Sequence, residues 1–461
     1  MSERYFEPFV ADAAHPFDAR KAAHLLRRAG FGAAPAEIAA AVARGLDETI
    51  DEIFAEAGDE EQEFERTFNA INGKFVNGGD EGVCQAWWIY RMLATRVPLR
   101  EKLALFWHGH FATSIRKVED TQLLLQQLDM FRRLGMGSFR ELVLAVACDP
   151  AMIVWLDGDS NVKEHPNENF ARELLEMFTC GIGNYTEQDV LEAARAFTGW
   201  HREGARFEFN AEMHDGGVKK LFGRRGKFDG GDVIDLLMSL PATGRFMARK
   251  LLRFFASPNP TGDVLVAAAE LYDRTQLNTR LFLRELFASQ YFFSDACLRS
   301  RIASPAEFVI GIARTLNVRQ PALDLVGQLN AMGQELLAPP NVKGWDGEEK
   351  WINSTTLAAR LTYARSVPEM NSDGNGFQPH CPIEEFVAAD NKSPVDIVEK
   401  LAQILLQGEL SPESRLDFET FLVAGDDGPQ PEAFRDDDGF RMNKVRQLAG
   451  VMLALPEFQA Y

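Results

Sequence analysis

Five cysteines in 461 residues (Cys84, Cys148, Cys180, Cys297 and Cys381), none in a C-x-x-C pair, are too dispersed for a disulfide framework or a zinc ribbon. Long apolar runs are missing too. Nowhere do about 18 uninterrupted apolar residues occur, as a membrane-crossing helix would require. The opening MSERYFEPFVADAAHPF contains no apolar stretch of signal-peptide length, so the sequence reads as that of a cytoplasmic protein without a membrane span. Positive charge is in deficit, with 49 Lys and Arg against 68 Asp and Glu and a net charge of −19. That argues against a nucleic-acid partner, because neutralising phosphates needs a dominant basic surface. The chain also lacks a P-loop, a G-x-G-x-x-G after a strand, a G-x-S-x-G elbow, an H-E-x-x-H pair and the kinase motifs. Nucleotide-dependent and serine-hydrolase chemistries lose most of their support.

The deficit is local. Residues 47–81 hold 12 acids and 2 bases, and residues 366–461 hold 18 acids and 7 bases, whereas 82–365 hold 34 bases and 33 acids. Runs such as Asp59, Glu60, Glu61 and Asp436, Asp437, Asp438 are expected to be solvated faces and loops. An acidic exterior around a balanced body leaves an anionic substrate permitted.

Apolar residues recur at three and four positions through most of the chain, which predicts an all-α fold. Residues 1–365 are expected to form the main helical domain, 366–392 a linker or surface excursion, and 393–461 a helical segment packing on it. Residues 18–44 read as two helices parted by Gly30 and Gly32, and 83–147 as four stacked helices. Residues 70–82, rich in Asn and Gly, read as a loop. Strands are most plausible near 205–228, as a small hairpin carrying FEF and KKLFG.

Four segments could carry chemistry. In FWHGHFATS (106–114), His108 and His110 flank a glycine in an apolar stretch. On a helix they diverge by about 200°, but at an irregular end both could reach one ion. The alternative is packed histidines bonded to their neighbours. In HPNENFARELLEMF (165–178), Asn167 caps a helix whose Glu168, Arg172 and Glu176 share a face, with Glu173 beside Glu176. This is either an exposed Glu-Arg ladder or a partly buried, purposeful cluster. In MHDGGVKKLFG (213–223), His214 and Asp215 sit on glycine-rich backbone, as a loop ligand or as an inert turn. In LAPPNVKGWDGEEKWINSTTLAAR (337–360), Trp345 and Trp351 bracket an acidic turn beside Asn341 and Lys343. They could make a stacking platform with hydrogen-bonding arms, or pin the loop to the core.

Together with HLLRRAGFGAAPAEI (24–38), these segments resemble, in order, the bacterial domain-of-unknown-function family numbered 1800. The resemblance covers almost the whole chain. It implies a large, mainly helical protein. It also implies a partner, since genes of this family lie beside those of a family numbered 1501 that is similar to alkaline phosphatases and sulfatases. In the family pattern a histidine stands where this chain has Phe178, which removes one nitrogen donor. The expected function is a metal-assisted hydrolase or lyase acting on a polar substrate of carbohydrate, phosphorylated or sulfated type. A divalent metal would be held by His108, His110, Glu173 and His214. Glu176 would act as general base, Arg172 and Lys343 would hold an anionic group, and Trp345, Trp351, Asn167 and Asn341 would bind substrate. The alternative is a non-catalytic scaffold for the phosphatase-like partner.

Overall fold

The periodic stretch 83–147 becomes the helices Glu81–Ala94, Pro98–His110, Thr121–Leu134 and Phe139–Ala147, with a single short turn of helix, Ile115–Val118, between the second and third. The computed structural model describes residues 5–56, 58–75, 79–372, 378–388, 390–425 and 428–461. Helices dominate throughout, and the only sheets among the described residues are three two-stranded hairpins, as an all-α reading requires. No helix among the described residues is long and apolar enough to cross a membrane.

Three expectations change in detail. The 205–228 region holds two hairpins rather than one: Trp200–Glu203 pairs with Arg206–Phe209, and Lys219–Leu221 with Arg224–Gly226. FEF and KKL therefore belong to different ribbons. Residues 70–75 continue the helix Asp59–Phe75 instead of opening a loop, while 76–78 lie outside the described residues. Nor is the acidic run before them wholly solvated. Glu61 is only 3% exposed and accepts hydrogen bonds from Thr95 Oγ1 and the Arg96 amide, both at 2.9 Å. Glu65 pairs with Arg91 and Arg132, and Arg132 Nε also donates to Glu101 Oε1 at 2.6 Å. Glu65 and Glu101 turn inward because the helices Glu81–Ala94 and Thr121–Leu134 bring the buried guanidinium groups of Arg91 and Arg132, which need a counter-charge.

A second buried network fixes the Pro98–His110 helix. Lys102 Nζ donates to Glu307 Oε1 at 2.6 Å and to the Gly30 carbonyl at 2.8 Å. Arg301 reaches both Glu307 (3.3 Å) and Glu348 (3.2 Å), and Tyr461 donates its hydroxyl to the Glu307 carbonyl at 2.6 Å. Arg28 donates to the carbonyls of Cys297 and Tyr461 at 2.7 and 2.8 Å. The segment 24–38 is thus a junction. A Cβ on Gly30 would meet Pro98 at 2.9 Å, and Gly32, at φ +97°, lies against Gly311. Near the C-terminal end, the helix Asp438–Ala454 packs on the helix Ser354–Ser366, where a Cβ on Gly450 would meet the Arg365 backbone at 3.0 Å.

Candidate functional site

The Pro98–His110 helix ends at Phe111, and the loop 338–353 lies across that end. Gly344 adopts φ +81°, and a Cβ there would fall 2.1 Å from the Gly109 carbonyl oxygen, so only glycine permits this approach. The loop is tied at both sides. The Ile115 amide donates to the Leu337 carbonyl at 2.9 Å, and Glu348 accepts from the Ile302 amide at 3.1 Å while pairing with Arg301. Trp351 is buried and its carbonyl accepts from Thr356 Oγ1 at 2.8 Å, so it pins the loop rather than offering a binding face. Trp345 remains half-buried, its ring 5.6 Å from that of His108.

His108 and His110 have different surroundings. His108 is packed between Trp88 and Trp345, and neither ring nitrogen has a hydrogen-bond partner among the described residues. Burial pushes it down to about 3, so it is neutral. His110 has both nitrogens engaged: Nε2 lies 3.0 Å from the Phe178 carbonyl, and Nδ1 lies 2.9 Å from Lys250 Nζ. A carbonyl only accepts, so Nε2 carries the proton and Nδ1 accepts from the amine.

The carbonyls come from an unusual turn. Residues Leu174–Thr179 form a π-helix, in which the amides of Cys180 and Gly181 both donate to Leu175, at 3.1 and 2.9 Å. The widened turn ends in Gly181, at φ +80°, packed on Phe246. Met177 and Phe178 are left with terminal carbonyls, which Lys250 (3.3 Å) and His110 satisfy. Lys250 is half-buried with its amine 4.9 Å from the centre of the Phe246 ring. Burial, and then the charges of Arg249 and Lys343, push it down to about 7.

The other expected residues lie in separate groups. Glu173 has a buried Oε2 without a hydrogen-bond partner among the described residues, and burial followed by the charge of Glu176 pushes its carboxyl up. Glu176 accepts from the Tyr185 hydroxyl at 2.6 Å. Arg172 points outward, between Glu168 at 2.9 Å and Glu187 at 2.7 Å, which is the exposed ladder. Arg172→Ala is therefore expected to cost no more than about 0.5 kcal/mol in thermal or urea unfolding. Asn167 serves local turns, accepting from the Asn169 amide and donating to Ser160 Oγ. Asn341 likewise accepts from the Lys343 amide at 2.9 Å, and Lys343 pairs with Asp346 at 2.5 Å on the exposed loop. His214 belongs to the 198–218 excursion, with Nδ1 2.9 Å from the Thr198 carbonyl and its ring on Phe209, while Asp215 takes Arg195 at 2.7 Å.

The four expected metal ligands do not fit a metal as a set. His110 has no free nitrogen, His214 is held by the 198–218 excursion, and among the described residues no three His, Cys, Asp or Glu side chains are placed to share an ion. What the structure does gather is His108, His110, Lys343 and Trp345 from two of the four segments, the π-turn of a third, and Phe246 and Lys250 from the helix Pro241–Phe255. The family model described as "Protein of unknown function (DUF1800)" matches residues 24–460. The chain belongs to the DUF1800 family. No curated protein and no solved structure gives a match. Sequence reasoning about this DUF1800 protein missed Lys250. The available signal was a lysine four residues after Phe246, within the otherwise apolar face of RFMARKLLRFF.

Proposed function

We propose that this DUF1800 protein is a hydrolase or lyase acting on a polar, anionic substrate, with Lys250 and His110 as its proton-transfer pair. One observation carries the reading: a half-buried lysine amine, without a carboxylate counter-charge among the described residues, donates to a histidine whose tautomer the Phe178 carbonyl fixes. A lysine with its proton affinity brought near neutrality is a general base at the operating pH, and the adjacent imidazole, which burial and then the Lys250 charge hold well below the usual histidine range, relays a proton without keeping it. Lys343 and Arg249 supply positive charge for an anionic group, and half-buried Trp345 supplies an apolar wall. Carbohydrate, phosphorylated and sulfated molecules all have this character. A phosphatase- or sulfatase-like partner would act on the same class of material.

The test is turnover of a panel of sulfated, phosphorylated and carboxylated sugars by the full chain, followed by the Lys250→Met and His110→Gln variants. Loss of turnover in both, with circular dichroism unchanged, is the expected result. Unchanged turnover in both variants contradicts the proposal. Binding without turnover of any panel member favours the scaffold reading, with which the internally paired Arg172, Arg195 and Lys343 agree.

A further inference from the structure

We infer that Lys250 captures its substrate covalently, as an imine with an aldehyde or ketone that carries an anionic group. The inference rests on the proposed role of the Lys250–His110 pair and adds the chemical class of the substrate: an oxo acid, or a sugar acid or sugar phosphate in its open-chain form.

Hydrogen-bond accounting at Nζ is the starting point. Two acceptors lie within reach, His110 Nδ1 at 2.9 Å and the Met177 carbonyl at 3.3 Å. Among the described residues no carboxylate pairs with this amine, and the charged groups that bear on it, Arg249 and Lys343, are both positive. A neutral amine has two N–H bonds and one lone pair. Both N–H bonds are satisfied by these two acceptors, which leaves the lone pair uncommitted on a side chain that is half-buried rather than sealed. The two neighbouring cations oppose a third positive charge at Nζ and attract an anion to the same place. Lys343 can be diverted to that anion, because its partner Asp346 is an exposed residue three positions along and holds it weakly.

The step balances without any redox partner. The Nζ lone pair forms the C–N bond as the carbonyl π pair moves to oxygen. One amine proton passes through His110 Nδ1 to that oxygen, giving the carbinolamine. The second amine proton follows by the same route to the hydroxyl, which leaves as water as the nitrogen pair closes C=N. Burial and the Lys250 charge hold His110 well below the usual histidine range, so it passes each proton on without keeping it, while its Nε2–H stays bonded to the Phe178 carbonyl.

Full-length protein at pH 7 is treated with glyoxylate and sodium cyanoborohydride, and the carboxymethylated lysines are mapped by peptide mass spectrometry. Acetaldehyde serves as the uncharged comparison and Lys163, 45% exposed at its side chain, as the internal reference. Lys250 is expected to be labelled on the order of tenfold faster than exposed lysines, because far more of it is neutral at pH 7. It is also expected to favour glyoxylate over acetaldehyde relative to that reference, and to slow by about tenfold in His110→Gln. Labelling spread over exposed lysines with Lys250 not ahead overturns the inference. If Lys250 stays unlabelled while Lys250→Met abolishes turnover, the imine falls and proton transfer stands. If Lys250 is labelled selectively while Lys250→Met keeps its turnover, capture stands and the proton-transfer role falls. Should His110→Gln unfold, the glyoxylate and acetaldehyde rates on the unaltered chain decide.

Discussion

Glu307→Ala is expected to cost about 3–5 kcal/mol in urea unfolding, a large part of the stability of a typical protein. Glu307 is fully buried and answers two cations, Lys102 at 2.6 Å and Arg301 at 3.3 Å. Removing it strands Lys102, which keeps hydrogen bonds to the Gly30 and Arg27 carbonyls and the faces of Phe31, Phe254 and Tyr461 but no carboxylate among the described residues. Lys102→Met in the same chain should recover part of the loss, and the double-mutant cycle should show strong coupling. The pH dependence has a definite sign. Burial alone would raise the Glu307 carboxyl, but the charges of Arg301 and Lys102 outweigh it and hold it far below the usual carboxylate range. A carboxylate so depressed stabilises the fold fully above its unfolded value of about 4.3 and loses that contribution as pH falls further. The carboxylate's own contribution should therefore be constant between pH 6 and 8 and shrink in acid, whereas Lys102, which burial pushes down to about 8, eases the cost of Glu307→Ala at higher pH as it loses its proton.

Two glycines in contact are expected to respond in opposite ways. Gly344→Ala forces a left-handed residue and drives its Cβ into the Gly109 carbonyl at 2.1 Å, where neither backbone can give without lifting the loop. The expected cost is about 2–4 kcal/mol, with Trp345 leaving His108 and its fluorescence shifting to that of an exposed indole. Gly109→Ala places its Cβ at an ordinary 3.9 Å from Trp345 within a helix. It should be neutral or stabilising by up to about 1 kcal/mol. Thermal unfolding of the pair measures whether the loop really rests on the helix end.

Much of this arrangement was legible in the sequence. Periodicity gave the helices because each buries one apolar stripe, and the prolines and glycines of PPNVKGW marked the loop that covers the site. Partners distant in sequence were not legible. Nothing in DEEQEF tells that Glu61 meets Thr95, and nothing in WHGH tells that His110 is occupied by a lysine 140 residues away. Arg172 and Glu173 are adjacent in sequence, yet one faces solvent in a ladder and the other buries an oxygen. The π-turn that begins at Leu174 also alters the helical spacing from which a shared face was inferred. Ion ligation was expected from two histidines two residues apart, but the helix continues through His110 and sends them to different surroundings.

The central claim is that Lys250, held beside His110, exchanges its proton near neutral pH rather than in the usual lysine range. Its most direct measurement is the rate of trace acetylation of Lys250 against pH, read by peptide mass spectrometry on the folded chain. A midpoint at about 7 is the predicted result, with reactivity rising as pH increases through it. A midpoint near that of an ordinary lysine, about 10.4, would contradict it.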